Sequence, residues 1–85
     1  MPITFVWTDT NRAKIHARAL TESQVEAVFS AADAAIAPAD APGRFMCEGT
    51  TGGHLLRVVF SLSGPQQVYV VTAHRISPLR RKAQP

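Results

Sequence analysis

The stretch RFMCEGTTGGHLLRVVF, from Arg44 to Phe60, decides the fold of this chain. Apolar and polar residues alternate on both sides of a Gly-Gly pair, which is the period of a half-buried β-strand. Paired glycines suit a tight hairpin turn. The sequence therefore predicts two antiparallel strands, 44–49 and 55–62, joined by the TTGG turn. In the second strand one face carries Leu56, Val58, Phe60 and Leu62, and the other carries Leu55, Arg57 and Val59.

The residues from 68 to 75 alternate in the same way after the SGPQ turn at 63–66, and they predict a third strand. An unbroken alternation places every second side chain on the same face. One face then carries Val68, Val70, Thr72 and His74, and the other carries Tyr69, Val71, Ala73 and Arg75. We therefore expect Arg75 to share the open face with Tyr69 and Arg57, and His74 to lie at the rim of the helix-covered core.

The N-terminal half predicts one short strand and two helices. Residues 3–7 alternate with strand period, and a helix follows that Thr8 or Asp9 caps. Thr21 and Gln24 have the spacing of a capping box, so a second helix starts there and packs by an apolar stripe. The stripe consists of Val25, Val28, Phe29 and Ala32.

The order of these elements predicts a fold of the α+β class. A turn is expected at 37–43, which holds two prolines and a glycine. The strands after it form an antiparallel meander of three to four strands, joined by the N-terminal strand, with both helices packed on one face of the sheet. Ser77 and Pro78 are typical of the cap and first position of a short C-terminal helix. We expect the 85 residues to form a single domain, 1–85.

The net charge of +3 hides an uneven distribution of charge along the chain. Residues 1–48 hold all six acidic residues and four of the nine lysines and arginines, whereas 49–85 hold the other five cations and no acid. A half-domain of one sign favours a polyanion as partner, with nucleic acid ahead of an acidic protein or a membrane surface. A surface that only keeps the protein soluble is the alternative interpretation.

Composition argues against membrane, disulfide and metal proteins. No apolar run approaches the roughly 18 residues that a spanning helix needs, and the N-terminus has no signal-peptide pattern, so we expect a cytoplasmic protein. Cys47 is the single cysteine, which excludes an internal disulfide and a zinc cluster of several thiolates. It is expected to be a core residue. Three scattered histidines show no ligand spacing, so neither a metal site nor a cofactor is predicted.

Three short motifs follow one another along the chain. They are Phe-x-Trp at Phe5 and Trp7, the Arg44 and Gly49 pair before the hairpin, and the strand end Thr72, Ala73 and Arg75. In this order they resemble the BrnT-type toxins of bacterial toxin–antitoxin pairs, within the RelE-like class of small ribonucleases, over about 5–82. The resemblance implies metal-independent RNA cleavage that inhibits translation and growth, and neutralisation by a cognate DNA-binding antitoxin.

Metal-free RNA cleavage needs a base for the 2′-hydroxyl, positive charge for the pentavalent phosphate and an acid for the leaving 5′-oxygen. Histidine suits the proton transfers because its ordinary pKa is about 6.5. Arginine suits the phosphate because its planar fork offers paired donors, and the resemblance implies that arginines and lysines stabilise the transition state. The catalytic candidates are Arg57, His74, Arg75 and Arg80. The candidates for nucleic-acid binding are Lys14, Arg18, Arg44, Arg81, Lys82 and Tyr69, the last of which would stack on a base.

Other interpretations stay open at this point. The family usually carries Lys-His-Gly at the helix–helix junction, where this chain has Ala17, Arg18 and Ala19. A non-catalytic protein of this kind, which binds an antitoxin or nucleic acid without cleaving it, is therefore the main alternative. A poison of another macromolecule, such as a topoisomerase, and an unrelated interaction domain are the others. A core this small also favours a partner, either an antitoxin or a second copy of the chain, over the exposed apolar and cationic surface.

Overall fold

A computed structural model describes residues 3–76, which fold into one five-stranded sheet and two helices. The elements in chain order are β1 (Thr4–Val6), α1 (Asp9–His16), α2 (Glu22–Ser30), β2 (Ala35–Pro38), β3 (Arg44–Thr51), β4 (His54–Gly64) and β5 (Gln67–Ile76). The strands lie side by side in the order β1-β5-β4-β3-β2. The predicted C-terminal helix at Ser77 falls outside the described residues. None of the described helices is long and apolar enough to cross a membrane.

The sheet is mixed, which corrects the prediction of a wholly antiparallel one. Strands β2 to β5 pair antiparallel as expected, but β1 pairs parallel with β5. The reason lies in the helix that follows β1 at once and packs along β5. Asn11 of α1, whose side chain is 1% exposed, donates from its amide to the carbonyl oxygens of Val6 and Val70 at 2.9 and 3.1 Å. These two hydrogen bonds hold the end of β1 and the first turn of α1 against β5.

The hairpin of β3 and β4 forms at the predicted glycines. Gly52 and Gly53 have φ of 59° and 82°, the left-handed conformations that a two-residue type I′ turn requires. The turn sets the register, because Thr51 pairs with His54 and every pair further out follows from it. Both strands are longer than predicted, by two residues in β3 and by three in β4.

Strand β2 occupies a stretch that the sequence assigned partly to a turn. The turn was predicted at 37–43, but Ala35–Pro38 pairs antiparallel with β3, and only the residues after it turn. An alanine-rich segment with a proline has low strand propensity, so its pairing comes from the free edge of β3 rather than from its own sequence. All four residues are exposed, as suits a short edge strand that ends in proline.

Both helices start at capping boxes. Thr8, not Asp9, caps α1, and its hydroxyl oxygen accepts from the backbone N–H of Asn11 at 3.2 Å. Thr21 caps α2 in the same way with Gln24, as predicted. The apolar stripe of α2 is confirmed at three of its four positions, because the helix ends at Ser30, before Ala32.

The core lies between the two helices and one face of the sheet. Its buried apolar residues are Ile15, Leu20, Val25, Val28, Cys47, Leu56, Val58, Phe60, Val68, Val70 and Ala73. Cys47 is a core residue, as predicted, and burial raises the pKa of its thiol. The opposite face of the sheet, which neither helix covers, is called the open face below.

Strand β5 contains a β-bulge at Val71. Val59 of β4 pairs with Thr72, but the next residue, Phe60, pairs with Val70. Val71 is therefore an extra residue without a partner on β4. A bulge of this kind reverses the alternation of side chains for the rest of the strand.

The bulge overturns two predictions about which face the strand end presents. His74 lies opposite Arg57 and therefore on the open face, not at the rim of the helix-covered core. Arg75 lies opposite the buried Leu56 and therefore on the helix-covered side, away from Tyr69 and Arg57. The unbroken alternation that the sequence suggested holds only as far as Val70.

Candidate active site on the open face

A row of three charged or titratable side chains crosses the open face. The register pairs Glu48 of β3 with Arg57 of β4, and Arg57 with His74 of β5. Directly opposed residues on neighbouring strands have Cβ atoms about 5 Å apart. The Arg57 Nε–H donates to Glu48 Oε2 at 2.6 Å, and both side chains are about one-third exposed. The row therefore places an imidazole beside a guanidinium that a carboxylate holds in position.

Sequence reasoning identified Arg57 and His74 but missed Glu48. The signal was present in the hairpin, because a two-residue Gly-Gly turn fixes which residues face each other. Counting outward from Gly52 and Gly53 places Glu48 opposite Arg57. The position of His74 could not be found in this way, because it depends on the bulge.

The surroundings of His74 favour its neutral form. Its pKa is lowered from the usual 6.5, first by burial and then by the positive charges of Arg18 and Arg57, while Glu48 acts weakly in the opposite direction. An imidazole that is neutral near pH 7 and faces solvent is able to accept a proton. The guanidinium groups that lower the pKa are the same groups that would neutralise a phosphate beside it.

The end of α1 brings two more of the predicted cations to this part of the sheet. Lys14, Ala17 and Arg18 line a shallow groove of about 400 Å³ together with Val71 and Thr72 of the bulged strand. Arg18 lies in the turn after α1 and is close enough to His74 to lower its pKa. Positive charge therefore continues from the middle of the open face to the edge of β5.

Arg44 and Tyr69 lie at the other end of the open face. The register places Arg44 opposite Ser61, and Ser61 opposite Tyr69, so all three share a face with Arg57. Arg44 also borders a groove against the loop that joins β2 to β3. The open face thus carries Arg44, Arg57, Tyr69 and His74, and Arg18 lies near enough to His74 to act on its charge.

The structure does not place the other four candidates in this site. Arg75 is exposed on the helix-covered side of β5, separated by the sheet from Arg57. Its catalytic role stays a prediction, and the structure gives it no part in the row. Arg80, Arg81 and Lys82 lie outside the described residues.

The other two histidines have separate environments. His54 is exposed at the first position of β4, next to the hairpin turn. His16 lies at the end of α1, and its Nε2 is 3.0 Å from Glu22 Oε1 at the start of α2. Glu22 also pairs with Arg12 at 3.1 Å, so this cluster joins the two helices. Within residues 3–76, no group of three or more His, Cys, Asp or Glu side chains is placed to hold a metal ion.

Comparison with solved structures places the fold. The crystal structure of the Brucella abortus ribonuclease toxin BrnT matches this chain with a TM-score of 0.68 and 21% sequence identity, over 91% of this chain and 97% of that one. The chain has the fold of BrnT. No protein-family model and no curated protein matches the sequence. The BrnT-type fold that the three sequence motifs predicted is therefore confirmed, and the likeness spans nearly the whole of both chains.

Proposed function

We propose that this chain is a metal-independent endoribonuclease toxin that cleaves RNA on the open face of its sheet. The observation that carries the proposal is the pairing of His74 with Arg57 on an uncovered surface, next to Arg18. The BrnT-like fold supports it, because the matched structure is that of a ribonuclease toxin. The charge of the C-terminal half supports it too, because that half attracts polyanions.

Each group in the row has a defined task in this reaction. Neutral His74 takes the proton from the 2′-hydroxyl, and the 2′-oxygen then attacks the phosphorus. Arg57 and Arg18 stabilise the extra negative charge on the pentavalent phosphate. The bond to the 5′-oxygen breaks, and that oxygen receives a proton from the imidazolium or from water. The products are a 2′,3′-cyclic phosphate and a 5′-hydroxyl, and no metal takes part.

Glu48 acts as a positioning residue in this mechanism. Its carboxylate accepts from the Arg57 Nε–H, which leaves the terminal amino groups of the guanidinium for the phosphate. The negative charge of Glu48 also neutralises part of the positive charge of the site. This second effect favours the alternative function, a protein that keeps the fold and binds nucleic acid or an antitoxin without cleaving RNA.

An apolar groove on the helix-covered side is where we expect a partner protein to bind. Ile3, Ile36 and Leu62 are 41%, 61% and 55% exposed and border an apolar groove of about 350 Å³ near the end of α2. A contiguous exposed apolar surface of this kind is typical of a site where another protein binds. A cognate antitoxin that covers the groove fits a toxin of this fold, and it would inactivate the toxin by also reaching the open face on the opposite side of the sheet.

The test is induced expression in a bacterial host, with growth as the readout. We expect growth arrest by the wild-type chain and loss of arrest with His74→Ala and with Arg57→Ala. Arg12→Ala is the matched control, because Arg12 makes a similar half-exposed ion pair with Glu22 on the helices. It should arrest growth like the wild type. Circular dichroism of each purified variant would show that it is folded.

Purified protein then separates the two functions. General acid–base catalysis contributes about 10²- to 10⁴-fold, so His74→Ala should slow RNA cleavage by that factor. Cleavage should persist in excess chelator and leave 2′,3′-cyclic phosphate ends. Normal growth with the wild type, together with intact RNA, would favour the non-catalytic binder. Arrest that only Arg75→Ala abolishes would place the chemistry on the other side of the sheet.

A further inference from the structure

A second groove on the open face lies beside the proposed cleavage site. Its volume is about 370 Å³, within the range of pockets that hold small ligands. It is lined by Ala39, Asp40, Ala41, Arg44, Met46, Arg57 and Val59. Met46 and Val59 pair across β3 and β4 and form an apolar floor. The charged groups stand around that floor.

The wall that carries Asp40 is fixed to the sheet. The backbone N–H of Ala39 donates to the carbonyl oxygen of Arg44 at 2.9 Å, and the N–H of Arg44 donates to the carbonyl oxygen of Ala41 at 3.2 Å. Gly43 completes the turn with a φ of 76°. The loop between β2 and β3 is therefore a compact turn that holds Asp40 at the edge of the groove.

Asp40 and Arg44 are available to a ligand. Arg57 pairs with Glu48 and Arg12 pairs with Glu22, but within residues 3–76 neither Asp40 nor Arg44 forms an ion pair. Arg44 is exposed, as is Asp40. The groove therefore offers an apolar surface flanked by one acceptor group and one donor group, neither of which forms an ion pair with another described side chain.

We propose that this groove is a binding site for a guanine base, an inference that rests on the proposed action on RNA. A carboxylate presents two acceptor oxygens and no donor. Guanine is the only standard base with two adjacent donors on its Watson–Crick edge, N1–H and the N2 amino group, and so it matches Asp40 twice. The other bases offer a carboxylate at most one such contact.

Arg44 completes the match. Its guanidinium donates to O6 and N7 of guanine, the commonest specific contact between arginine and a base. The flat base lies with one face on Met46 and Val59, away from water. Single-stranded RNA exposes these edges for recognition, whereas a duplex hides them.

The position of Arg57 connects this groove to the cleavage site. Arg57 lines the groove and also belongs to the row with His74. A nucleotide whose base enters the groove thus has its phosphate next to Arg57 and His74. The preferred substrate is a single-stranded RNA cut at a phosphodiester that adjoins a guanosine.

The direct test is an NMR titration of the whole chain with the four nucleoside 5′-monophosphates. The phosphate is common to all four, so differences report the base. Guanosine monophosphate should bind most tightly and shift the signals of Met46 and Val59. Asp40→Asn should weaken its binding by roughly 5- to 150-fold, the worth of a good bidentate contact, because the amide replaces one acceptor with a donor. Asp9→Asn, at the exposed start of α1, is the matched control.

Equal affinity for all four nucleotides, or unchanged affinity in Asp40→Asn, would overturn the proposal. Mapping of cleavage sites on a mixed-sequence RNA separates it from the proposed function. Cleavage without preference for guanosine would refute the groove and leave the nuclease standing. Selective binding of guanosine monophosphate by a chain that cuts no RNA would refute the nuclease and leave the groove.

Discussion

Gly49 provides the sharpest test of how α2 is seated on the sheet. It lies on the buried face of β3, and a Cβ added there would stand 2.8 Å from the carbonyl oxygen of Val28 and 3.0 Å from the Cβ of Ala31. Val28 lies in the last turn of α2 and Ala31 caps its end, and the nearer of the two atoms is backbone. Because ordinary contact begins at 3.4 Å, the end of the helix would have to move by about 0.6 Å.

The expected cost of Gly49→Ala follows from two opposing terms. Overpacking of a well-packed core costs about 1–3 kcal/mol. Alanine in place of glycine within a strand returns about 0.5–1 kcal/mol through chain entropy. The midpoints of the two ranges leave a net loss of about 1 kcal/mol in the free energy of unfolding, which lowers Tm by about 4–8 °C in a domain of this size.

Gly64→Ala is the matched control for this substitution. Its added Cβ would also meet an atom at 2.8 Å, but that atom is the side-chain oxygen of Gln67, which is free to swing away. Its backbone, like that of Gly49, is outside the positive-φ region. Thermal unfolding followed by circular dichroism should show a lower Tm for Gly49→Ala and an unchanged or slightly raised Tm for Gly64→Ala. Equal changes in the two variants would refute the argument that backbone contact with α2 sets the cost.

Three further predictions concern the hydrogen bonds of Asn11 and the pKa values of His74 and Glu22. Asn11→Ala leaves two strand carbonyl oxygens without their donor, so the free energy of unfolding should fall by about 2–4 kcal/mol in chemical denaturation; a loss below 1 kcal/mol would contradict the bridging role. NMR titration of the His74 imidazole should give a midpoint below 6.5 that rises in Arg18→Ala. Since the folded pKa is the lower one, this histidine makes stability fall as pH drops below 6.5, and a midpoint unmoved by the substitution would exclude the charge of Arg18 as a cause. The hydrogen bond from His16 lowers the pKa of Glu22 from 4.5, so its stabilising effect is present above pH 4.5 and lost as pH falls through the folded value; Glu22→Gln should flatten the pH dependence of the denaturation midpoint below pH 4.5.

The parts of the fold that local chemistry sets were predictable from the sequence. A cap at Thr8 or Asp9, a capping box at Thr21 and a Gly-Gly turn each involve residues within a few positions, and all three formed where expected, the first of them at Thr8. Strand β2 is the fourth strand that the predicted meander left open, and the sequence did not place it, because alanines and a proline pair only when a free strand edge is already present. The parallel pairing of β1 depends on Asn11 reaching Val70, 59 residues away, which no local pattern records.

In the candidate site, too, the residues set by local chemistry were predictable and those set by long-range pairing were not. Arg57 lay on the predicted face because its strand is regular, and Glu48 opposite it follows from the hairpin turn. His74 and Arg75 exchanged faces because a bulge adds one residue without leaving a mark in the apolar pattern. The position of Asp40 beside the groove was not predicted, because the sequence indicated only a turn for its loop.

The bulge at Val71 decides which residue at the end of β5 lies on the open face, and so it decides the chemistry of that surface. With the bulge an imidazole reaches the open face, whereas the same residues in a regular strand would place a guanidinium there instead. A change of backbone pairing at one residue, rather than a substitution of either functional residue, is then enough to exchange a proton acceptor for a permanent cation. In two chains of this fold, equivalent residues of this strand are those at the same distance in sequence from the bulge. A sequence alignment of the His-Arg strand end can pair them differently.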